Sequence, residues 1–260
     1  MGRSELHADA LYESVTLPQF DWGSLSSGRP TLVAIPRRAF FFLYRMKTMN
    51  EIKAVLFDYG MVLSGPPLAS AWEKMKTING VDEDRFRPAY WAHRHAYDRG
   101  TYTGEQYWEK VAADAGVTVD HTQVAALIDA DNELWTDLNP PMVEWAHQLQ
   151  RAGIRTGILS NLGDHMMHGL LAKFPWIANF YHRTWSHLLK IAKPELEIYR
   201  HAAEGLETPA ANILFIDDRE ENIAAAIESG MQAIRYTDHP TFEREMVERG
   251  FGNLLHLPAA

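Results

Sequence analysis

Four short segments of this 260-residue chain carry side chains whose types could do chemistry together. The first is Leu56-Phe57-Asp58-Tyr59-Gly60, where an acid ends an apolar run. An Asp leaving a buried strand meets the free N–H groups of the next loop, which can cradle a phosphoryl oxygen. The second is Leu159-Ser160-Asn161, a hydroxyl and an amide ahead of a helix start whose N–H groups favour an anion. The third is Ala192-Lys193-Pro194. A residue before proline is held extended, so this lysine could reach inward as a fixed positive charge. The fourth is Phe215-Ile216-Asp217-Asp218, an acidic pair suited to a hard cation such as Mg²⁺.

Each segment has an ordinary reading when taken alone: a turn-starting Asp, a Ser or Asn helix cap, a solvated lysine. Asp218 stands three residues before Glu221 and could cap a helix. Asp217 resists such a reading, because an unpaired carboxylate ending an apolar strand is costly. Taken jointly, a nucleophilic carboxylate, a hydroxyl, a lysine and an acidic pair supply the parts of phosphoryl transfer through a phosphoaspartate.

The elements that must position these groups follow from the pattern. Short apolar runs at 52–57, 154–159, 180–185, 213–216 and 232–236 read as buried strands. Asn139-Pro140 opens a helix that Gly153 closes, and 195–204 and 219–229 read as helices. Alternating strands and helices predict an α/β fold: a Rossmann-like parallel sheet with helices on both faces. Residues 68–137 interrupt it as helices only, with capping-box spacing at Thr103/Gln106 and Asp120/Gln123. This block predicts an inserted α-helical cap over the carboxyl edge of the sheet, where such folds bind ligands. Its aromatic residues, among them Trp72, Tyr90, Trp91, Tyr107, Trp108 and Trp135, read mostly as helix packing, with a minority left for a pocket. The expected organisation is a core of 51–67 and 138–260, a cap of 68–137, and an N-terminal extension of 1–50. That extension has no helical period and ends near Met46 and Met49. Either translation begins at one of these methionines, the favoured reading, or the stretch is an arm that docks on the core or a partner.

Composition narrows the function classes. The formal charge of −9 argues against nucleic acid, which demands clustered Lys and Arg. The chain has no cysteine, which excludes disulfides, thiolate metal sites and cysteine nucleophiles and fits a cytoplasmic address. No run is long and apolar enough to be a membrane span. The expected partner is a small phosphorylated substrate, with the chain a monomer or homodimer.

In this order, the four segments resemble motifs I to IV of the haloacid dehalogenase-like superfamily. Lys193-Pro194 with Ile198-Tyr199, and Asp217-Asp218 with Asn222 and Gly230-Met231, are the most specific matches. Asp98-Arg99-Gly100 and Gln106-Tyr107-Trp108 are similar to the cap of the subgroup holding α-D-glucose-1-phosphate phosphatases. The N-terminal phosphatase domain of soluble epoxide hydrolases is a further relative. The resemblance implies a Mg²⁺-dependent phosphatase acting on a small metabolite such as a sugar phosphate. It implies that Asp58 attacks phosphorus, with Tyr59, Gly60, Ser160, Asn161 and Lys193 around the substrate and Lys193 also steadying Asp58. It assigns the metal to Asp58, the carbonyl of Gly60, Asp217 and Asp218. One departure stands out. Most phosphatases of the superfamily carry an acid where this chain has Gly60, so the leaving group must depart readily or another residue, such as His93 or His95, must supply the proton. The alternatives are a 2-haloacid dehalogenase, which the acidic pair argues against, and a non-catalytic binding protein of the same fold.

Overall fold

The computed structural model describes residues 51–257. Both readings of the N-terminal extension therefore lie outside the described residues. Five parallel strands form one sheet in the order β3-β2-β1-β4-β5. They are β1 (Ala54–Phe57), β2 (Arg155–Ser160), β3 (His182–Trp185), β4 (Ile213–Asp217) and β5 (Gln232–Arg235). The strands expected from the apolar runs are all present, with ends that differ by up to two residues; β2 and β4 run one residue further, to Ser160 and Asp217. The chain fills one side of β1 first and then returns to the other. β1 is thus the central strand, and the crevice beyond its carboxyl end lies at the switch of direction, where open α/β sheets bind ligands.

Both faces of the sheet are buried, which is why the strands are continuous apolar runs and not alternating ones. Val55, Phe57, Ile158, Leu214 and Ile216 pack on one face. They meet α5 (Pro140–Arg151), α6 (Asp164–Lys173) and α10 (His239–Glu248) through Trp145, Leu170 and Phe242. Ala54, Leu56, Leu159, Ile213 and Phe215 take the other face, against α8 (Leu196–Gly205) and α9 (Glu220–Glu228). A single turn, α7 (Ser186–Leu189), follows β3. The helix start expected after Asn161 is α6, whereas the sequence pattern predicts neither α7 nor α10, although Asp238 caps α10 by accepting from the Thr241 N–H at 2.9 Å.

Between β1 and α5 lie α1 (Ala69–Asn79), α2 (Glu83–Asp98), α3 (Gly104–Asp114) and α4 (His121–Leu134). They build a hydrophobic cluster of their own around Met75, Phe86, Tyr90, Tyr107 and Trp108. Both expected capping boxes form, at Thr103 and Asp120. Trp108 is almost wholly buried and stacks 6.4 Å from Phe86. Truncating it to Ala would cost ~3–5 kcal/mol.

Helix α2 also fastens this block to the sheet. Gly163, in the loop after β2, lies so close to the Tyr97 ring that a Cβ there would come within 2.1 Å of it. Any larger residue would push the two apart. Arg99 pairs with Glu195, and the Ser186 hydroxyl donates to the Asp98 carbonyl. Among the described residues no helix is long and apolar enough to cross a membrane.

Candidate active site

The parallel register brings the four chemical segments to one edge. Phe57 pairs with Ile158 on one side and Ile216 on the other, so the next residue, Asp58, lies level with Asp217. The Asp58 N–H donates to the Ile216 carbonyl at 2.8 Å, fixing that alignment beyond the end of β1. The loop after Asp58 closes as a single wide turn, Tyr59–Leu63, in which the Ser64 N–H reaches back to the Tyr59 carbonyl. Met61 has a positive φ of 60° within it.

Lys193 is buried between two carboxylates. Its Nζ lies 2.9 Å from Asp58 Oδ1 and 2.6 Å from Asp217 Oδ2. Its backbone is held by Asn161, whose Nδ2 donates to the Lys193 carbonyl and whose Oδ1 accepts from the Lys193 N–H, each at 2.9 Å. Both ends of the Asn161 amide are thereby used to position the lysine.

The two acids of the fourth segment differ. Asp217 is fully buried. Besides Lys193, it accepts from the Arg219 N–H at 2.9 Å and from Asn222 Nδ2 at 2.9 and 3.1 Å. Asp218 lines the cavity and has no side-chain hydrogen bond among the described residues. It does not cap α9, whose capping residue is Arg219. Asp58, Asp217 and Asp218 offer carboxylate oxygens that all lie within 4.8 Å of one another.

Three acids facing one lysine leave an excess of negative charge. Burial pushes the Asp58 carboxyl up to about 7; Lys193 opposes this, while Asp217 and Asp218 add to it. Burial also raises Asp218, with Asp217 contributing. Lys193 is raised as well: burial disfavours its ammonium, but Asp217 and Asp58 outweigh that. An oxygen-rich, buried and under-neutralised cluster fits a hard divalent cation.

A cavity of about 460 Å³ opens over this cluster. Asp58, Tyr59, Gly60, Ser160, Asn161, Lys193 and Asp218 all line it, whereas Asp217 lies behind Lys193. The Tyr59 side chain is not free, since its hydroxyl donates to the Trp135 carbonyl at 2.9 Å, while the Tyr59 backbone N–H donates to Asp58 Oδ1 at 2.7 Å. The two candidate proton donors separate. His95 lines the cavity, while His93 is turned to Asp114 at 2.9 Å and does not line it. The spacing on α2 explains this, because residues two apart on a helix face different ways.

The cavity also holds residues that were not singled out as site residues: Met61, Trp91, Arg94, Asp98 and Trp135. Arg94 is buried and donates to Asp98 at 2.9 Å and Asp131 at 3.0 Å. Burial raises Asp98 to about 6, with Arg94 opposing. The i,i+4 spacing of Arg94 and Asp98 is visible in the sequence; the third member, Asp131, comes from another helix and is not.

A model of the haloacid dehalogenase-like hydrolase family matches residues 49–230, and the chain belongs to that family of hydrolases. Among curated proteins it is similar to the sesquiterpene phosphatase astK of Aspergillus oryzae, at 24% identity over 73% of this chain and 92% of that protein. It also resembles bifunctional epoxide hydrolase 2 of Sus scrofa, at 25% identity over 80% of this chain but 40% of that protein. Among solved structures, the HAD family enzyme bt-2542 of Bacteroides thetaiotaomicron shares the fold with a TM-score of 0.64 and 22% identity, covering 76% of this chain and 99% of that one. A complex of that enzyme with magnesium and inorganic phosphate matches with a TM-score of 0.60 and 24% identity, over 72% of this chain and 94% of that one. L-2-haloacid dehalogenase of Xanthobacter autotrophicus shares the fold too, with a TM-score of 0.58 and 20% identity over 78% of this chain and 86% of that one.

Proposed function

We propose that the chain is a Mg²⁺-dependent phosphatase that hydrolyses a small phosphomonoester through a phosphoaspartate at Asp58. The observation that carries this reading is the buried Lys193 bridging Asp58 and Asp217 while Asp218 stands unpartnered at the same cavity. Relatedness to a sesquiterpene phosphatase, and a shared fold with an enzyme crystallised with magnesium and phosphate, agree with it.

Asp58 attacks phosphorus with a carboxylate oxygen, and the ester P–O bond breaks as the alcohol leaves. Water then attacks the phosphoryl group on Asp58, releasing inorganic phosphate and restoring the carboxylate. Lys193 keeps Asp58 oriented and ionised and offers positive charge to the phosphoryl oxygens, with the Ser160 hydroxyl as a further donor. Asp58, Asp218 and the Gly60 carbonyl would hold Mg²⁺, with Asp217 engaged mainly in holding Lys193 and Asn222. When bound, the ion supplies charge neutralisation between an anionic nucleophile and an anionic phosphate.

Asp217 and Asp218 also weigh against the dehalogenase alternative, whose chemistry has no use for a cation-demanding acidic pair. Purified protein should hydrolyse p-nitrophenyl phosphate with Mg²⁺ and lose that activity in EDTA and in Asp58→Asn. Full activity in the Asn variant overturns the mechanism. Halide release from a halocarboxylate in EDTA would establish the dehalogenase instead.

A further inference from the structure

The polar groups of the cavity are mostly spoken for. Asn161 spends its amide on the Lys193 backbone, and Tyr59 donates its hydroxyl to Trp135. The Arg94 guanidinium and the Asp98 carboxylate hold one another. Lys193, Ser160 and Asp218 face the phosphoryl end. Of the remaining lining groups, His95 is exposed and Arg219 pairs with Glu221. A polyol arriving here would lose water from several hydroxyls and find few partners, and each unmatched buried hydroxyl is costly.

Two apolar residues of the lining are by contrast exposed. Trp91 is 49% exposed and Met61 37% exposed, although both belong to residue types that normally hide. The partly buried Trp135, and the edges of the core residues Leu162 and Met166, also line the cavity. Flat rings and thioethers of this kind suit an aromatic guest.

Gly60 gives a second, independent constraint. With no acid two residues after the nucleophile, the alcohol must leave without a proton positioned there. A phenol, with a pKa of about 10 like that of tyrosine, departs far more readily than an alkanol, which is nearly as weak an acid as water at about 16.

We propose that the substrates of this site are monophosphate esters of apolar aromatic alcohols, held through Trp91, Trp135 and Met61, and not phosphates of polyols. This rests on the phosphatase reading and sharpens it. The test is a substrate series with Mg²⁺: 2-naphthyl, phenyl, cyclohexyl, glucose 1- and glucose 6-phosphate. It is paired with binding of 2-naphthyl phosphate to the Asp58→Asn protein, read by tryptophan fluorescence. The expected kcat/KM falls in the order naphthyl, phenyl, cyclohexyl, with the sugars lowest by at least about tenfold. Trp91 is half-exposed, so Trp91→Ala should fold; it should weaken naphthyl phosphate binding in the Asp58→Asn background by roughly tenfold. A sugar phosphate equal to the aryl esters overturns the proposal, as does undiminished binding in the Trp91→Ala protein. Cyclohexyl phosphate cleaved as fast as phenyl overturns the leaving-group argument. Absence of all turnover, with naphthyl phosphate binding that depends on Trp91, would defeat the phosphatase reading and still support the ligand class.

Discussion

Two buried charge clusters face each other across the cavity, and they are built on opposite plans. In the cap, Arg94 meets Asp98 and Asp131, and the Tyr90 hydroxyl donates to Asp131 at 2.8 Å. Both Asp98 oxygens and both Asp131 oxygens accept from the guanidinium. In the core, three carboxylates crowd around one lysine, and the carboxylate of one of them, Asp218, accepts no hydrogen bond from another described residue, although its carbonyl accepts from Arg235. A buried charge cluster whose groups satisfy one another holds structure together. One left with surplus charge and an open cavity is prepared for a ligand.

That contrast can be broken by removing an acid from each cluster. Asp131→Ala leaves Arg94 short of a partner in an apolar cap and should cost ~3–5 kcal/mol of stability in denaturant unfolding. Asp218→Asn removes repulsion, so without metal its stability should match or exceed that of the parent, while its activation by Mg²⁺ is lost. A carboxyl raised in the folded state favours the fold below its unfolded pKa, and that advantage fades as pH rises through the folded value. The charged Asp218 is thus a burden at neutral pH, and substitution lifts it. Equal losses from the two substitutions would erase the distinction between the clusters.

A third experiment sharpens the account of Gly60. Its φ of −63° and ψ of 135° suit any residue, and an added Cβ would meet only the Trp135 ring at 3.7 Å. Gly60→Asp should therefore fold and place an acid beside Asp58. With Mg²⁺ it should raise cyclohexyl phosphate hydrolysis by up to ~10²-fold and change phenyl phosphate little. Equal acceleration of both esters would show that leaving-group protonation is not what Gly60 lacks.

Much of the candidate site was legible because each segment obeys a local rule. Apolar runs of strand length ended at Asp58, Ser160 and Asp217, and the parallel register carried those ends to one line. The helical block announced itself through its capping boxes and aromatic content. The division of labour within the edge was not legible. Asp217 and Asp218 are neighbours of one type, yet one faces Lys193 and Asn222 and the other the cavity, because successive side chains at a strand end point opposite ways. Asn161 reads as a ligand group and is occupied by the Lys193 backbone, 32 residues away in sequence. His93 and His95 look equivalent, and helix geometry sends only His95 into the cavity.

The sequence by itself determined the parallel α/β core, the inserted helices, and the placement of Asp58, Lys193 and the Asp217-Asp218 pair at strand ends and loops of one edge. Strand periodicity and strand-end chemistry are local properties that need no knowledge of what packs across. Only the tertiary structure decided which polar groups remain free for a ligand. That depends on partners from distant segments: Asp131 for Arg94, the Trp135 carbonyl for Tyr59, and the Lys193 backbone for Asn161. Once those partners are spent, the cavity turns the apolar side chains of Met61 and Trp91 toward the space in front of Asp58.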